Sequence, residues 1–162
     1  MSSNFFEIQN GNFTASEKNK VNNVNLMIKE QGEIISLLGP SGIGKTTILR
    51  TIAGLQKLSR GVINLKGKVL SSASVHIEPE DRNVALSFQD NSLFPNYNVI
   101  DNINFGKKRL NGNGSFLDTS EIIKILHIEP ILEKFPHQIS AGEAQRVSLA
   151  RSLLSKPDLL LL

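Results

Sequence analysis

Gly39-Pro40-Ser41-Gly42-Ile43-Gly44-Lys45-Thr46 is the stretch whose reading decides the fold. Gly, four residues, Gly, Lys, Thr is the pattern of a phosphate-binding loop. Gly39, Gly42 and Gly44 let the backbone turn tightly and aim several N–H groups at one point. Those donors, with the N-terminus of a following helix, form an anion site. Lys45 adds a full positive charge for the outer phosphates. The Thr46 hydroxyl suits Mg²⁺, which keeps several waters and bridges phosphate oxygens. Residues Gly39, Pro40, Ser41, Gly42, Ile43, Gly44, Lys45, Thr46 and Thr47 are therefore expected to hold a nucleoside triphosphate. A chance match of this kind arises in roughly one chain in a hundred of this length.

The flanks of the loop support the reading. Glu33-Ile34-Ile35-Ser36-Leu37-Leu38 is a short, nearly continuous apolar run, the pattern of a strand buried on both faces of a parallel sheet. After the loop, Ile48, Leu49, Ile52 and Ala53 fall at helical spacing, which predicts a helix over 45–55 that Gly54 helps to end. Further out, Val21, Val24, Leu26 and Ile28 have strand character, Gly32 marks a turn, and Val62–Leu65 reads as a strand. Glu78-Pro79-Glu80-Asp81 is a polar connector before another strand over 84–88. From Val99 to Phe135 the pattern turns helical, with breaks at Gly106 and Asn111-Gly112-Asn113-Gly114. Ile122, Ile123, Ile125 and Leu126 form one apolar face there. A helix from Ser140 to Ser155 is expected to bury Val147, Leu149, Ala150, Leu153 and Leu154, and the chain closes on Leu159–Leu162. Strand, loop, helix, strand is the grammar of an open α/β sheet.

Composition narrows the function classes. The 162 residues carry a formal net charge of +3. That excess is small and dispersed, so nucleic acid is not an expected partner. There is no cysteine, which excludes disulfides and thiolate metal sites. The start lacks the basic and apolar stretches of a secretory signal, and no stretch approaches the roughly 20 apolar residues that span a bilayer. His76, His127 and His137 are far apart and adjoin no second ligand residue, so they read as surface or packing residues.

A second motif chooses among phosphate-loop proteins. Ser140-Ala141-Gly142-Glu143-Ala144-Gln145-Arg146 stands at a helix start, with Ser140 and Glu143 spaced as a capping box. Here the chain resembles the nucleotide-binding subunit of an ATP-binding-cassette (ABC) transporter. The signature of that family is Ser-Gly-Gly-Gln followed by Gln-Arg; this chain departs from it at Ala141 and Glu143. Phe88-Gln89-Asp90, then Leu93-Phe94-Pro95 and 99–106, is similar to the family's glutamine loop and the helical subdomain after it. The resemblance runs from about Val21 to Leu162. It implies an α/β P-loop NTPase fold of ABC type, with a mixed sheet around the loop helix and an inserted helical subdomain.

It also implies roles. ATP and Mg²⁺ are the cofactors. Ser140, Ala141, Gly142 and Glu143 would close over a nucleotide held by another subunit, in a head-to-tail dimer. Gln89 would touch Mg²⁺ and the attacking water beside Lys45 and Thr46. An aromatic ring would stack on adenine; Phe13 is the candidate, with Phe5 and Phe6 as competitors. Permease subunits, and through them a substrate-binding protein, would be the partners, at the cytoplasmic face of the plasma membrane. The resemblance divides the chain into a nucleotide-binding core over 1–98, a helical subdomain over 99–155, and a final strand over 156–162.

The family continues that strand into an Asp-Glu pair that orients Mg²⁺ and activates water. Asp158 stands at the wrong end of the strand for this, roughly 13 Å away by strand rise. The expectation is an incomplete copy of a longer subunit that hydrolyses little alone, or a non-hydrolysing fragment. The wording of 78–83 and 88–95 is similar to importers of ferric iron, molybdate, sulfate and spermidine. The Asn-Gly segment near Gly112 and Pro136-His137 lean toward ferric iron; Ile128-Glu129-Pro130 with Asn96-Tyr97 leans toward molybdate.

Overall fold

The computed structural model describes residues 4–14, 20–87, 93–107 and 118–162. The chain divides into two compact units, 1–82 and 83–162. The strand just after Arg82 pairs with the last strand of the chain, within the second unit.

In the first unit, β1 (Phe6–Thr14), β2 (Lys20–Ile28), β3 (Arg60–Leu65) and β4 (Lys68–Ser71) form an antiparallel sheet in the order β2-β1-β3-β4. Ile8 stands opposite Leu26 on one side and Ile63 on the other. The period of two gathers Phe6, Ile8, Ile63 and Leu65 in the core with Leu70, and the register shifts between Ile8 and Phe13 change the phase of β1 so that Phe13 joins them. The asparagines of this region serve β1 and β2. Asn10 and Asn23 take left-handed backbone (φ 49° and 56°) near the register shifts of the pair. Asn tolerates that conformation better than most residues. The Asn25 and Asn12 side-chain carbonyls accept the main-chain N–H of Asn10 and Asn23, each at 2.9 Å.

Helix α1 (Lys45–Ile52) buries Thr47, Ile48, Thr51 and Ile52. It ends at Ile52, three residues short of the expected 55, and Gly54 closes it as expected: Gly54 turns left-handed (φ 88°), and its N–H reaches the Thr51 carbonyl at 3.1 Å. The run 33–38 departs from expectation. It carries neither strand nor helix, and Ile34 and Leu38 are 93% and 92% exposed. An apolar run states a preference for burial, but a strand also needs a neighbour in register. Among the described residues of this unit, no strand pairs with it.

In the second unit, β5 (Val84–Leu86) and β6 (Leu159–Leu161) pair in parallel, Val84 opposite Leu159 and Leu86 opposite Leu161. Helices α2 (Val99–Lys107), α3 (Thr119–Ile125) and α4 (Ala141–Leu154) enclose a core of Val99, Ile103, Ile122, Ile128, Val147 and Ala150. Gly106 lies inside the last turn of α2, buried, rather than breaking the helix. Residues 111–114 lie outside the described residues. No helix among the described residues is long and apolar enough to cross a membrane.

Candidate nucleotide site

The loop is built from backbone. Gly42 and Gly44 both take positive φ, 81° and 106°, where an L side chain is strained. Gly44 caps α1, and a Cβ there would run into the side chain of Val21 on β2. Ser41, Gly42 and Ile43 are exposed, and so is Thr46; Thr47 is buried. Lys45 folds back over the loop, its Nζ donating to the carbonyls of Gly39 at 2.7 Å and Pro40 at 2.9 Å. The first turn of α1 holds no acidic residue. The positive end of that helix and the Lys45 ammonium thus stand together with no acid in the first turn, an arrangement suited to an external anion. The residues present fit a triphosphate with Mg²⁺: loop N–H groups and Lys45 for phosphate oxygens, and the exposed Thr46 hydroxyl for the metal.

The aromatic assignment is corrected. Phe13 is fully buried, on the core face of β1, with its ring over Gly11. Such a ring offers no free face to adenine. Phe6 is likewise in the core, and Phe5 is half-buried. Alternation would place Phe6 and Phe13 on opposite faces of β1; the register shifts between Ile8 and Phe13 turn both inward, and those shifts are hard to read through the asparagines. Gln89 lies outside the described residues.

The signature segment forms its capping box in full. Ser140 is the N-cap of α4. The Glu143 carboxylate accepts the Ser140 main-chain N–H at 2.7 Å and its hydroxyl at 2.6 Å, and the Glu143 N–H donates to Ser140 Oγ at 3.3 Å. These bonds from Ser140 hold the Glu143 carboxyl below the usual range, with the nearby Lys134 and Arg146 charges adding to the effect. Ser140, Ala141 and Gly142 face solvent.

Two buried polar side chains escaped the reading of the sequence. Arg82 is tied to the end of α1 and to β4. Asn102, fully buried on α2, folds the segment 94–98 around itself. Its Oδ1 accepts the Phe94 N–H at 2.8 Å, and its Nδ2 donates to the carbonyls of Phe94, Tyr97 and Asn98 at 3.0–3.1 Å. A buried Asn or Arg in a sequence carries no period; the available signal was a lone polar residue beside apolar ones.

The family model described as ABC transporter matches residues 21–162, most of the chain. The chain belongs to the ABC transporter family. Among its relatives is the Fe(3+) ions import ATP-binding protein FbpC of Escherichia coli K12, 38% identical over 98% of this chain and 44% of that protein. The molybdenum import ATP-binding protein ModC of Haemophilus ducreyi is 40% identical over 86% of this chain and 39% of its own length. The sulfate/thiosulfate import ATP-binding protein CysA of Mesostigma viride is 40% identical over 94% and 41%. The chain therefore spans less than half the length of these ABC relatives. Among solved structures, the dimeric post-hydrolysis state of the ATP-binding cassette MJ0796, bound to ADP and Pi, aligns with a TM-score of 0.76 at 25% identity. That alignment covers 96% of this chain and 72% of the cassette.

Proposed function

We propose that this chain is the ATP-binding part of an ABC importer, working as a motor ATPase in the whole transporter. The observation that carries the proposal is the Lys45 ammonium, held over the carbonyls of Gly39 and Pro40 at the start of a helix with no first-turn acid. In this reading those carbonyls keep the lysine in place until phosphate oxygens take it over. The loop N–H groups would then bind the phosphates, and Thr46 and Gln89 would be the residues that hold Mg²⁺. Bound there, Mg²⁺ would neutralise charge on the outer phosphates. Lys45 would stabilise the negative charge that develops as the terminal phosphoryl leaves.

The nucleotide would be completed in trans by Ser140, Ala141, Gly142 and Glu143 of a second subunit in a head-to-tail dimer. A dimeric cassette of similar fold supports this arrangement. Permease subunits and, through them, a substrate-binding protein are the further partners, with the chain peripheral at the cytoplasmic face of the membrane.

Ferric iron is the favoured cargo, supported by the naming of the FbpC relatives; molybdate and sulfate relatives match at similar identity and keep those cargoes as alternatives. Deleting the gene in its native cell and measuring uptake of radiolabelled ferric iron, molybdate and sulfate tests the proposal. Ferric uptake is expected to fall. Selective loss of molybdate or sulfate uptake would move the cargo to that ion, and unchanged uptake of all three would count against an importer of this class.

A further inference from the structure

Arg82 is the only charged side chain fully buried among the described residues, with 3% of its surface exposed. A guanidinium has five N–H donors, and here each one has an acceptor. Nε donates to the Ile77 carbonyl at 2.7 Å. Nη1 donates to the carbonyls of Thr51 at 2.9 Å and Ile52 at 2.8 Å. Nη2 donates to the Leu70 carbonyl at 3.2 Å and the Ser71 hydroxyl at 2.8 Å, with His76 Nδ1 at 3.4 Å from the same nitrogen. Four main-chain carbonyls and a hydroxyl are neutral, so the charge is compensated by dipoles. Burial pulls the Arg82 pKa down, and the nearby Glu78 carboxylate opposes that shift.

Two of those acceptors matter most. Thr51 and Ile52 end α1, and their carbonyls are among the last four of the helix, beyond its regular ladder; the Thr51 carbonyl is shared between Gly54 N–H and Arg82. A cation at that end also meets the negative pole of the helix dipole. The other acceptors lie on or just beyond β4, so the guanidinium joins the far end of α1 to the sheet. Space for it comes from Gly54, where a Cβ would stand 2.6 Å from Arg82 Nε. If the site only needed stability, an apolar side chain would serve at least as well, because burying a cation is costly. What an apolar side chain cannot do is hold two helix carbonyls in one planar fork.

We infer that Arg82 is a positioning residue for the phosphate loop: by gripping the last carbonyls of α1 it fixes where Gly44, Lys45 and Thr46 stand at the other end. An α-helix of eight residues is about 12 Å long and rigid over that distance, so a shift at Ile52 is carried to Lys45. The inference rests on the reading of Gly39–Thr46 as a nucleotide site.

The test uses the full 162-residue chain and three variants, Arg82→Lys, Ser71→Ala and Lys45→Ala. MgATP affinity is measured by titration calorimetry at a temperature where circular dichroism shows each variant folded. Amide exchange of Ile48 and Leu49 is measured against Ile8 and Ile63 in the sheet. Arg82→Lys is expected to weaken MgATP about tenfold and to speed exchange in α1 but not in β1 or β3. Ser71→Ala, which removes the hydroxyl acceptor, is expected to weaken it roughly two- to threefold, a few tenths of a kcal/mol in binding. A merely structural role would lower the melting temperature yet leave affinity and loop-side exchange unchanged in the folded protein. That result overturns the inference. If Arg82→Lys does not fold, Ser71→Ala decides on the same two readouts. Lys45→Ala separates the two claims. Unchanged ATP affinity in that variant removes the nucleotide site itself. Loss there beside wild-type affinity in folded Arg82→Lys removes only the role of Arg82.

Discussion

The start of α1 and the start of α4 are both helix N-termini suited to anions, and they are built in opposite ways. At α1 the Gly44 cap has no side chain, and the first turn carries no acid, so the orphan N–H groups are left for a ligand. Lys45, over the loop, is a donor resting on carbonyls. At α4 the Ser140 cap and Glu143 satisfy each other, and the helix already carries its own carboxylate. The first terminus is shaped by backbone and completed from outside. The second is closed by side chains and stable as it stands. In the proposed reading, the first terminus takes its anion from solvent, and the second lends its exposed edge to a nucleotide held by another subunit.

Breaking the first terminus should cost most. Gly44→Ala places a Cβ at φ 106° and against Val21. Strain and overpacking together should cost about 3 kcal/mol in stability, read as the urea midpoint of unfolding. The double variant Val21→Ala/Gly44→Ala should recover part of that loss by removing the collision but not the strain. A Gly44→Ala protein as stable as the wild type would show that the backbone of the loop is not as constrained as its φ values state.

The second terminus should respond to acid, and more weakly. The Glu143 carboxyl lies below its unfolded value because Ser140 donates to the charged form. Its contribution to stability is therefore complete above the unfolded glutamate value of about 4.3, and is lost as pH falls through the lower folded value. Asp118 shifts in the same direction through the Ser120 hydroxyl and is present in both proteins compared. Glu143→Gln keeps the geometry of the box but does not titrate. The difference in melting temperature between wild type and Glu143→Gln should thus shrink or reverse between about pH 5 and 3. A constant difference across that range would contradict the capping role.

The same contrast explains what could be read from the residues alone. The phosphate loop, α1 with its Gly54 stop, and the Ser140–Glu143 box were legible because each depends on neighbours within a few positions. Strands β3, β5 and β6 were legible as apolar runs. The run 33–38 was not, because its expected burial depended on strand partners that sequence periodicity does not supply. Phe13 was misjudged for a related reason: the register of β1 decides which ring faces the core, and Asn10 interrupts the alternation just before it. Arg82 and Asn102 stayed hidden because their partners are main-chain carbonyls, and any residue has one of those. His76, read as a surface or packing residue, is half-buried beside Arg82.

The central claim is that Gly39–Thr46 grips the phosphates of a nucleotide, and comparing MgATP with adenosine on the full chain tests it most directly. If loop N–H groups, the α1 terminus and Lys45 supply the binding, calorimetric titration should show MgATP binding at least about a hundredfold tighter than adenosine, since charge-assisted bonds to phosphate carry about 1.5–3 kcal/mol each. Equal affinity for the two would contradict the account.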